Sequence, residues 1–195
     1  VKSIFPAFSQ GERTRSFLKV QDGCDYHCSY CTIPLARGKS RNLSIATLVE
    51  EAKKISSKGI VEVVLTGVNT GDFGRTTGEK FIDLLKALND VDGIERYRIS
   101  SIEPNLLNEE TTKWIASGTK FQPHFHIPLQ SGCDRVLAKM RRRYNTTMFY
   151  DKISMIREIM GDVFFGIDVI VGFPGETDED FAATCKFLKE KVKPA

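Results

Sequence analysis

The chain has 195 residues, 41% of them hydrophobic and 27% charged, with a formal net charge of +3. That balance suits one large globular domain and excludes a disordered chain, and no apolar run approaches the roughly 20 residues of a membrane helix. The small positive charge permits an anionic partner without implying one, and an odd count of five cysteines, three of them within eight residues, argues against a secreted disulfide framework and for a reducing cytoplasm.

The opening VKSIFPAFSQGERTRS lacks an apolar segment bounded by a cleavage site, and residues 1–15 read as a linker. Phe17 to Gln21 (FLKVQ) alternates with period two, as a strand does. A long polar loop carrying three cysteines follows. Ile45, Leu48, Val49, Ala52 and Ile55 then recur at helical spacing, with Ser44 as N-cap and Gly59 just past the end. Ile60 to Thr66 reads as a second strand. A loop with Gly67, Gly71 and Gly74 leads to a helix turning Phe81, Ile82, Leu84, Leu85 and Leu88 inward. Arg96 to Ile102 is a third strand, Glu109 to Ser117 a helix and Phe125 to Leu129 a fourth strand. Helices near Arg135 to Met140 and Met148 to Met160 precede a fifth strand, Val163 to Val171. Thr177 and Asp180 form a variant capping box, and the last helix is expected to bury Phe181, Cys185 and Leu188.

Five strand-helix alternations predict an α/β fold with a parallel sheet and right-handed crossovers, either a doubly wound open sheet or a whole or partial barrel. The first strand is not followed by GxGxxG, so a dinucleotide-binding sheet has no support. In either topology the loops after the strands share one face, where active sites of such folds lie. The open edge of the fifth strand would invite association.

The cysteine loop reads CDYHCSYC, with Cys24, Cys28 and Cys31 spaced C-x3-C-x2-C. Structural zinc needs four ligands, and the fourth would have to be His27 or Cys133. An electron carrier would need four clustered ligands and little scaffold. A four-iron, four-sulfur cluster held by three thiolates would keep one iron free for a small molecule. One known use of such an iron is to chelate S-adenosylmethionine and cleave it to a carbon radical.

CDYHCSYC, with Tyr30 before the third cysteine, resembles the radical S-adenosylmethionine superfamily, whose fold is a partial barrel of six strand-helix units. RTRSFLKVQDGC, IPLARGKSR, HIPLQSGCDRVLAKMRRRY and DVIVGFPGETDEDF look like its methylthiotransferases. LTGVNTGDFG and RISSIEP are most similar to the branch modifying N6-threonylcarbamoyladenosine beside the tRNA anticodon. Other branches act on another tRNA adenosine or a ribosomal protein. The resemblance implies a [4Fe-4S] cluster on Cys24, Cys28 and Cys31, a 5′-deoxyadenosyl radical, methylthiolation of a tRNA base, and a reductant such as flavodoxin or ferredoxin. It also implies an N-terminal domain with a second [4Fe-4S] cluster and a C-terminal RNA-binding domain. Neither is found here, so 16–195 reads as a core ending before its sixth strand, expected to bind one cluster without completing the reaction.

The resemblance also suggests cofactor contacts. Tyr30 would lie near the adenine; otherwise it is a packed loop aromatic. Thr66 and Gly67 would approach the methionyl amino group, or form a plain turn. Ser101, Glu103 and Gln130 leave the third and fourth strands toward the same mouth, with a solvated Glu103 as the alternative. Arg143 of the run Arg141 to Arg143 would meet the cofactor carboxylate, the first two being a solvated face. Val171 and Gly172 would flank the adenine, and Arg37, Lys39 and Arg41 could screen the cluster or meet RNA phosphate. Cys133 reads as a small residue at a helix start and Cys185 as core. His124 and His126 receive no catalytic role.

Overall fold

The computed structural model describes residues 4–9 and 14–194. Residues 1–3 and 10–13 of the expected linker, and Ala195, lie outside the described residues.

Three parallel strands, β1 (Ser16–Lys19), β4 (Glu62–Thr66) and β5 (Arg96–Ile99), pair in the order β1-β4-β5. Strands β6 (His124–Gln130) and β7 (Phe164–Val169) form a second parallel pair. Tyr97 N and O bond Lys120 O and Gln122 N, and Ile102 N bonds His126 O, so β5 and β6 meet edge to edge. This is why the third strand stops at Ile99 rather than running to Ile102: Ser100 N still reaches Leu65 O, but two residues later the chain has turned to β6. The five strands curve as a partial barrel with the expected strand-helix alternation. Residues 7–9 are not a free linker. Ser9 N bonds Phe17 O and Lys19 N bonds Ala7 O, which covers the outer edge of β1.

Helices α2 (Ile45–Ser56), α3 (Phe81–Asn89), α4 (Glu109–Ala116), α5 (Asp134–Lys139), α6 (Thr146–Met160) and α7 (Asp178–Phe187) follow the strands. Ser44 caps α2 by accepting from Thr47 N, and Leu48, Ala52 and Ile55 reach 0% exposure. Each buried leucine or isoleucine stabilises the fold by about 1.5–3 kcal/mol. Leu18, Val63, Leu65, Tyr97, Phe125 and Phe165 complete this outer core, one face of each strand. Strand alternation turns the opposite face toward the barrel lumen. There Phe17, Val64, Arg98, Ser100, His126 and Gly166 line a cavity of about 350 Å³.

Two expectations need correction. The long loop after β1 contains structure: a helix α1 (Ile33–Arg37), and a short antiparallel ribbon of β2 (Gln21–Asp22) with β3 (Arg41–Asn42) that closes its base. The last helix does not bury Phe181, which is 42% exposed, and Cys185 is only half-buried. Its inward residues are Asp180 and Thr184, because Asp180 serves both the capping box with Thr177 and an ion pair with Arg135, and Thr184 bonds Ser131 and Gly132 N. Among the described residues no helix is long and apolar enough to cross a membrane.

Candidate active site

The site is built on the loop between β2 and β3. Gln21, 1% exposed, fixes its base. Its Nε2 donates to Gly23 O at 2.8 Å and Ser40 Oγ at 2.9 Å, while Oε1 accepts from Val68 N and Asn69 N at 2.9 Å each. One side chain thus ties the cysteine loop to the loop after β4. This explains Gly67: a Cβ there would sit 2.9 Å from Gln21 Oε1 and 3.1 Å from Gln21 Cβ. Next door, Asp22 accepts from Lys19 at 2.8 Å, Arg37 at 3.1 Å and Arg41 at 3.0 Å. Burial pushes its pKa upward, but the bonds from Lys19 and Arg37 outweigh this and hold it at about 2.

Within the loop, Tyr26 N donates to Cys24 Sγ at 3.3 Å and Cys31 N to Cys28 O at 3.0 Å. Ser29 docks on the end of α5, with N and Oγ bonding Met140 O and Lys139 O. Beyond α5 the run Arg141 to Arg143 meets the loop. Arg141 takes a positive φ of 57° and turns the next side chain inward. The Arg142 side chain, 3% exposed, donates to Cys28 Sγ and Tyr30 Oη at 3.1 Å, to Tyr144 Oη at 3.0 Å, and to the Glu103 carboxylate. Tyr144 Oη in turn reaches Pro128 O at 2.5 Å and Leu129 O at 3.0 Å, where β6 shifts register around the proline.

The electrostatics follow from burial. Desolvation pushes the Cys24 thiol up to about 11, reinforced by Cys28, Glu103 and Cys31 nearby. Such a thiol ionises only beside a strong cationic partner, as a bound metal is. Burial also raises Glu103 although Arg142 opposes it, and raises the Tyr30 and Tyr144 phenols, which stay protonated.

The donor set fits a cluster with a free corner. Among the described residues no three His, Cys, Asp or Glu side chains converge as one metal ion would require, yet Cys28 and Cys31 lie close enough to Cys24 to oppose its ionisation. His27 is exposed beside buried Cys28, and Cys133 Sγ bonds Asp180 Oδ1 at 3.1 Å.

The other candidates divide. Tyr30, Glu103 and the cysteines share one network through Arg142. Thr66 bonds Leu18 O, and Ser101 O accepts from Thr70 Oγ1. Gln130 has a φ of 66°, and its carbonyl accepts from Ile170 N. Val171 is 64% exposed, while Gly172 N donates to Glu176 at 2.6 Å. One part of the arginine reading is corrected: Arg142 is not a solvated face but enters the network. Arg143 lies exposed over the Tyr26 ring at 3.8 Å and donates to Asp25 O. Glu103 is not solvated either; it is ion-paired and largely shielded from water. Arg41 is 13% exposed and, with Arg37, is engaged by Asp22, which leaves Lys39 the exposed cation of the three with no ion pair among the described residues. Sequence reasoning missed Gln21, Asp22, Arg142, Tyr144 and Asn105, whose Nδ2 donates to Tyr26 Oη at 2.7 Å.

A parallel partial barrel with a three-cysteine loop after its first strand defines the class of protein. The model of the radical SAM superfamily matches residues 18–188, and the chain belongs to that superfamily, which uses a [4Fe-4S] cluster and S-adenosylmethionine. The chain is 40% identical over 187 residues to threonylcarbamoyladenosine tRNA methylthiotransferase MtaB of Bacillus subtilis, covering 95% of this chain and 41% of the relative. The Thermotoga maritima protein of that name is 43% identical over 93% of this chain and 42% of its own length. The tRNA-2-methylthio-N(6)-dimethylallyladenosine synthase of a Sulfurihydrogenibium species is 37% identical over 95% and 43%. The chain therefore spans about two fifths of these curated relatives. Among solved structures, the radical S-adenosylmethionine methyltransferase TsrM of Kitasatospora setae, with cobalamin and a [4Fe-4S] cluster, superposes with a TM-score of 0.72 at 19% identity over 89% of this chain and 34% of that one. Methylornithine synthase does so with 0.65 at 14%, over 92% and 50%. These two likenesses establish the fold.

Proposed function

We propose that the chain is the radical-generating core of a tRNA methylthiotransferase acting at C2 of N6-threonylcarbamoyladenosine next to the anticodon. The observation that carries this reading is the three-thiol loop, of whose two fourth-ligand candidates His27 is exposed and Cys133 is engaged by Asp180. The similarity to threonylcarbamoyladenosine methylthiotransferases supports the substrate.

In this reading Cys24, Cys28 and Cys31 hold the cluster as thiolates. The bound cluster and S-adenosylmethionine supply hydrogen-atom abstraction from an unactivated carbon. The chain's own residues position them. Arg142 offsets the negative charge on Cys28 and orients Tyr30 and Glu103 at the mouth. Thr66, Gly67, Ser101, Gln130, Arg143, Val171 and Gly172 surround the cofactor at the ends of the strands. Lys39 meets RNA phosphate. The protein works in the cytoplasm, takes electrons from a flavodoxin or ferredoxin, and receives its sulfur through a second cluster carried outside this core.

Anaerobic reconstitution of the full-length protein, followed by iron analysis, assay of 5′-deoxyadenosine and mass spectrometry of digested tRNA, tests the reading. One iron-sulfur cluster on this core and a 2-methylthio nucleoside are expected. Colourless protein with one tightly held zinc would overturn it.

A further inference from the structure

The barrel lumen carries charge that the cofactor site does not use. Behind the mouth, the side chains of Arg15, Arg98, Ser100 and His124 line the 350 Å³ cavity. Glu62 is shared by three guanidiniums, Arg15 at 3.9 Å, Arg96 at 3.1 Å and Arg98 at 3.0 Å, and only Arg96 has a further carboxylate, Glu95 at 3.2 Å. Three cations thus face two anions. On the opposite wall Asp168 is paired with His126 at 2.8 Å. Arg98 spends its Nε on Glu62, and its two terminal nitrogens have no hydrogen bond among the described residues. Ser100 and His124 also line the cavity, and Ser100 Oγ and His124 Nδ1 are buried without a hydrogen-bond partner among the described residues. Buried polar atoms in a native protein are ordinarily satisfied, so unpaired atoms beside a guanidinium with two open donors suit an anionic, hydrogen-bonding ligand.

We infer that the lumen wall of Arg98, Ser100 and Arg15 receives the carboxylate of the threonylcarbamoyl arm and so selects the tRNA adenosine. This inference rests on the tRNA methylthiotransferase reading. The dimensions agree. Arg98 on β5 and Ser100, the residue that follows β5, both line the cavity and stand about 7 Å apart along the chain. The arm adds about 6 Å of extended chain beyond N6, so a base held at the mouth brings its carboxylate to the level of Arg98. A guanidinium with two free donors matches a carboxylate bidentately. A dimethylallyl arm, with no polar atom, would leave Ser100 and Arg98 unpaired and desolvated, which disfavours it.

The test is binding of synthetic anticodon stem-loops to the full-length protein, read by fluorescence anisotropy. Four loops are compared: one with the threonylcarbamoyl group, one with its carboxylate replaced by a carboxamide, one with dimethylallyladenosine and one with unmodified adenosine. Wild type should prefer the carboxylate loop over the carboxamide about tenfold or more. Arg98→Gln should erase that preference while its affinity for the unmodified loop stays within about twofold, and Ser100→Ala should reduce it. Because Arg98 also supports Glu62, Arg98→Lys serves as the folding control and should keep part of the preference. A wild-type preference that survives in Arg98→Gln overturns the inference and leaves the tRNA reading standing. Failure of wild type to bind any of the four loops overturns both.

Discussion

Arg142 donates through Nη1 to Cys28 Sγ at 3.1 Å, from a position 114 residues further along the chain. The same guanidinium reaches Tyr30, Tyr144 and Glu103, so one buried cation couples the cysteine loop to the ends of β5 and β6. The loop's geometry depends on tertiary contacts as well as on its own eight residues.

Removing one partner of a buried pair leaves the other charge unsolvated. Arg142→Met should therefore destabilise the apoprotein by about 3–5 kcal/mol, most of it from stranded Glu103. Adding Glu103→Gln should restore a substantial part. Urea denaturation of the two single variants and the double variant measures the coupling. Independent, additive effects would show that the pair seen in the structure carries no energy.

The cysteines should separate cleanly. Serine at Cys24, Cys28 or Cys31 should abolish iron binding, whereas Cys133→Ser and Cys185→Ser should keep it. Cys133 is engaged with Asp180, and serine can donate to the same carboxylate. Iron and sulfide analysis after anaerobic reconstitution decides this, and iron lost from Cys133→Ser would identify a fourth ligand.

Much of this architecture can be read along the chain because periodicity is a local property. Leu48, Ala52 and Ile55 announce α2, Ser44 its start, and the β-branched run before Thr66 announces β4. Thr177 and Asp180 form both halves of the expected capping box. What escaped was set by distant partners. The two-residue β2 and β3 are too short for any pattern, and Gln21 looks like an ordinary strand end until the loop after β4 is brought against it. Choosing among three adjacent arginines requires knowing that Arg141 adopts a left-handed backbone. The inward stripe of α7 is polar, so its outward Phe181 misdirected the amphipathic reading.

The loop after β4 offers a steric prediction. Gly74 and Gly78 have nearly equal φ, 83° and 78°, so alanine strains both backbones alike, by about 1–2 kcal/mol. At Gly74 a Cβ would also fall 1.7 Å from Glu79 O, a backbone atom, while nothing lies within 4 Å of one at Gly78. Gly74→Ala should thus cost clearly more than Gly78→Ala. It should also disturb the bond from Gly74 N to Asn42 Oδ1, which ties this loop to β3. Thermal melts of the two variants give the difference, and equal losses would refute the close approach.

Acidification should weaken the fold in two stages. His124 is held below its ordinary pKa of 6.5, first by burial and then by the charge of Arg98. The unfolded chain therefore takes up the proton more readily, and stability falls as pH drops below about 6.5 through the lowered folded value. Glu62 is also held below its ordinary value of 4.5. Burial alone would raise it, but the bonds from Arg96 and Arg98 prevail. Its contribution is complete above the unfolded pKa and is lost as pH falls below about 4.5. Urea midpoints of the apoprotein from about pH 8 down to about pH 2 should accordingly decline in a first step removed by His124→Asn and a later one removed by Glu62→Gln. Protonation of Glu62 would also free Arg98 from its carboxylate, so the second stage should coincide with loosening of the lumen wall. A profile unchanged by either substitution would mean that these two groups do not set the acid limit of the fold.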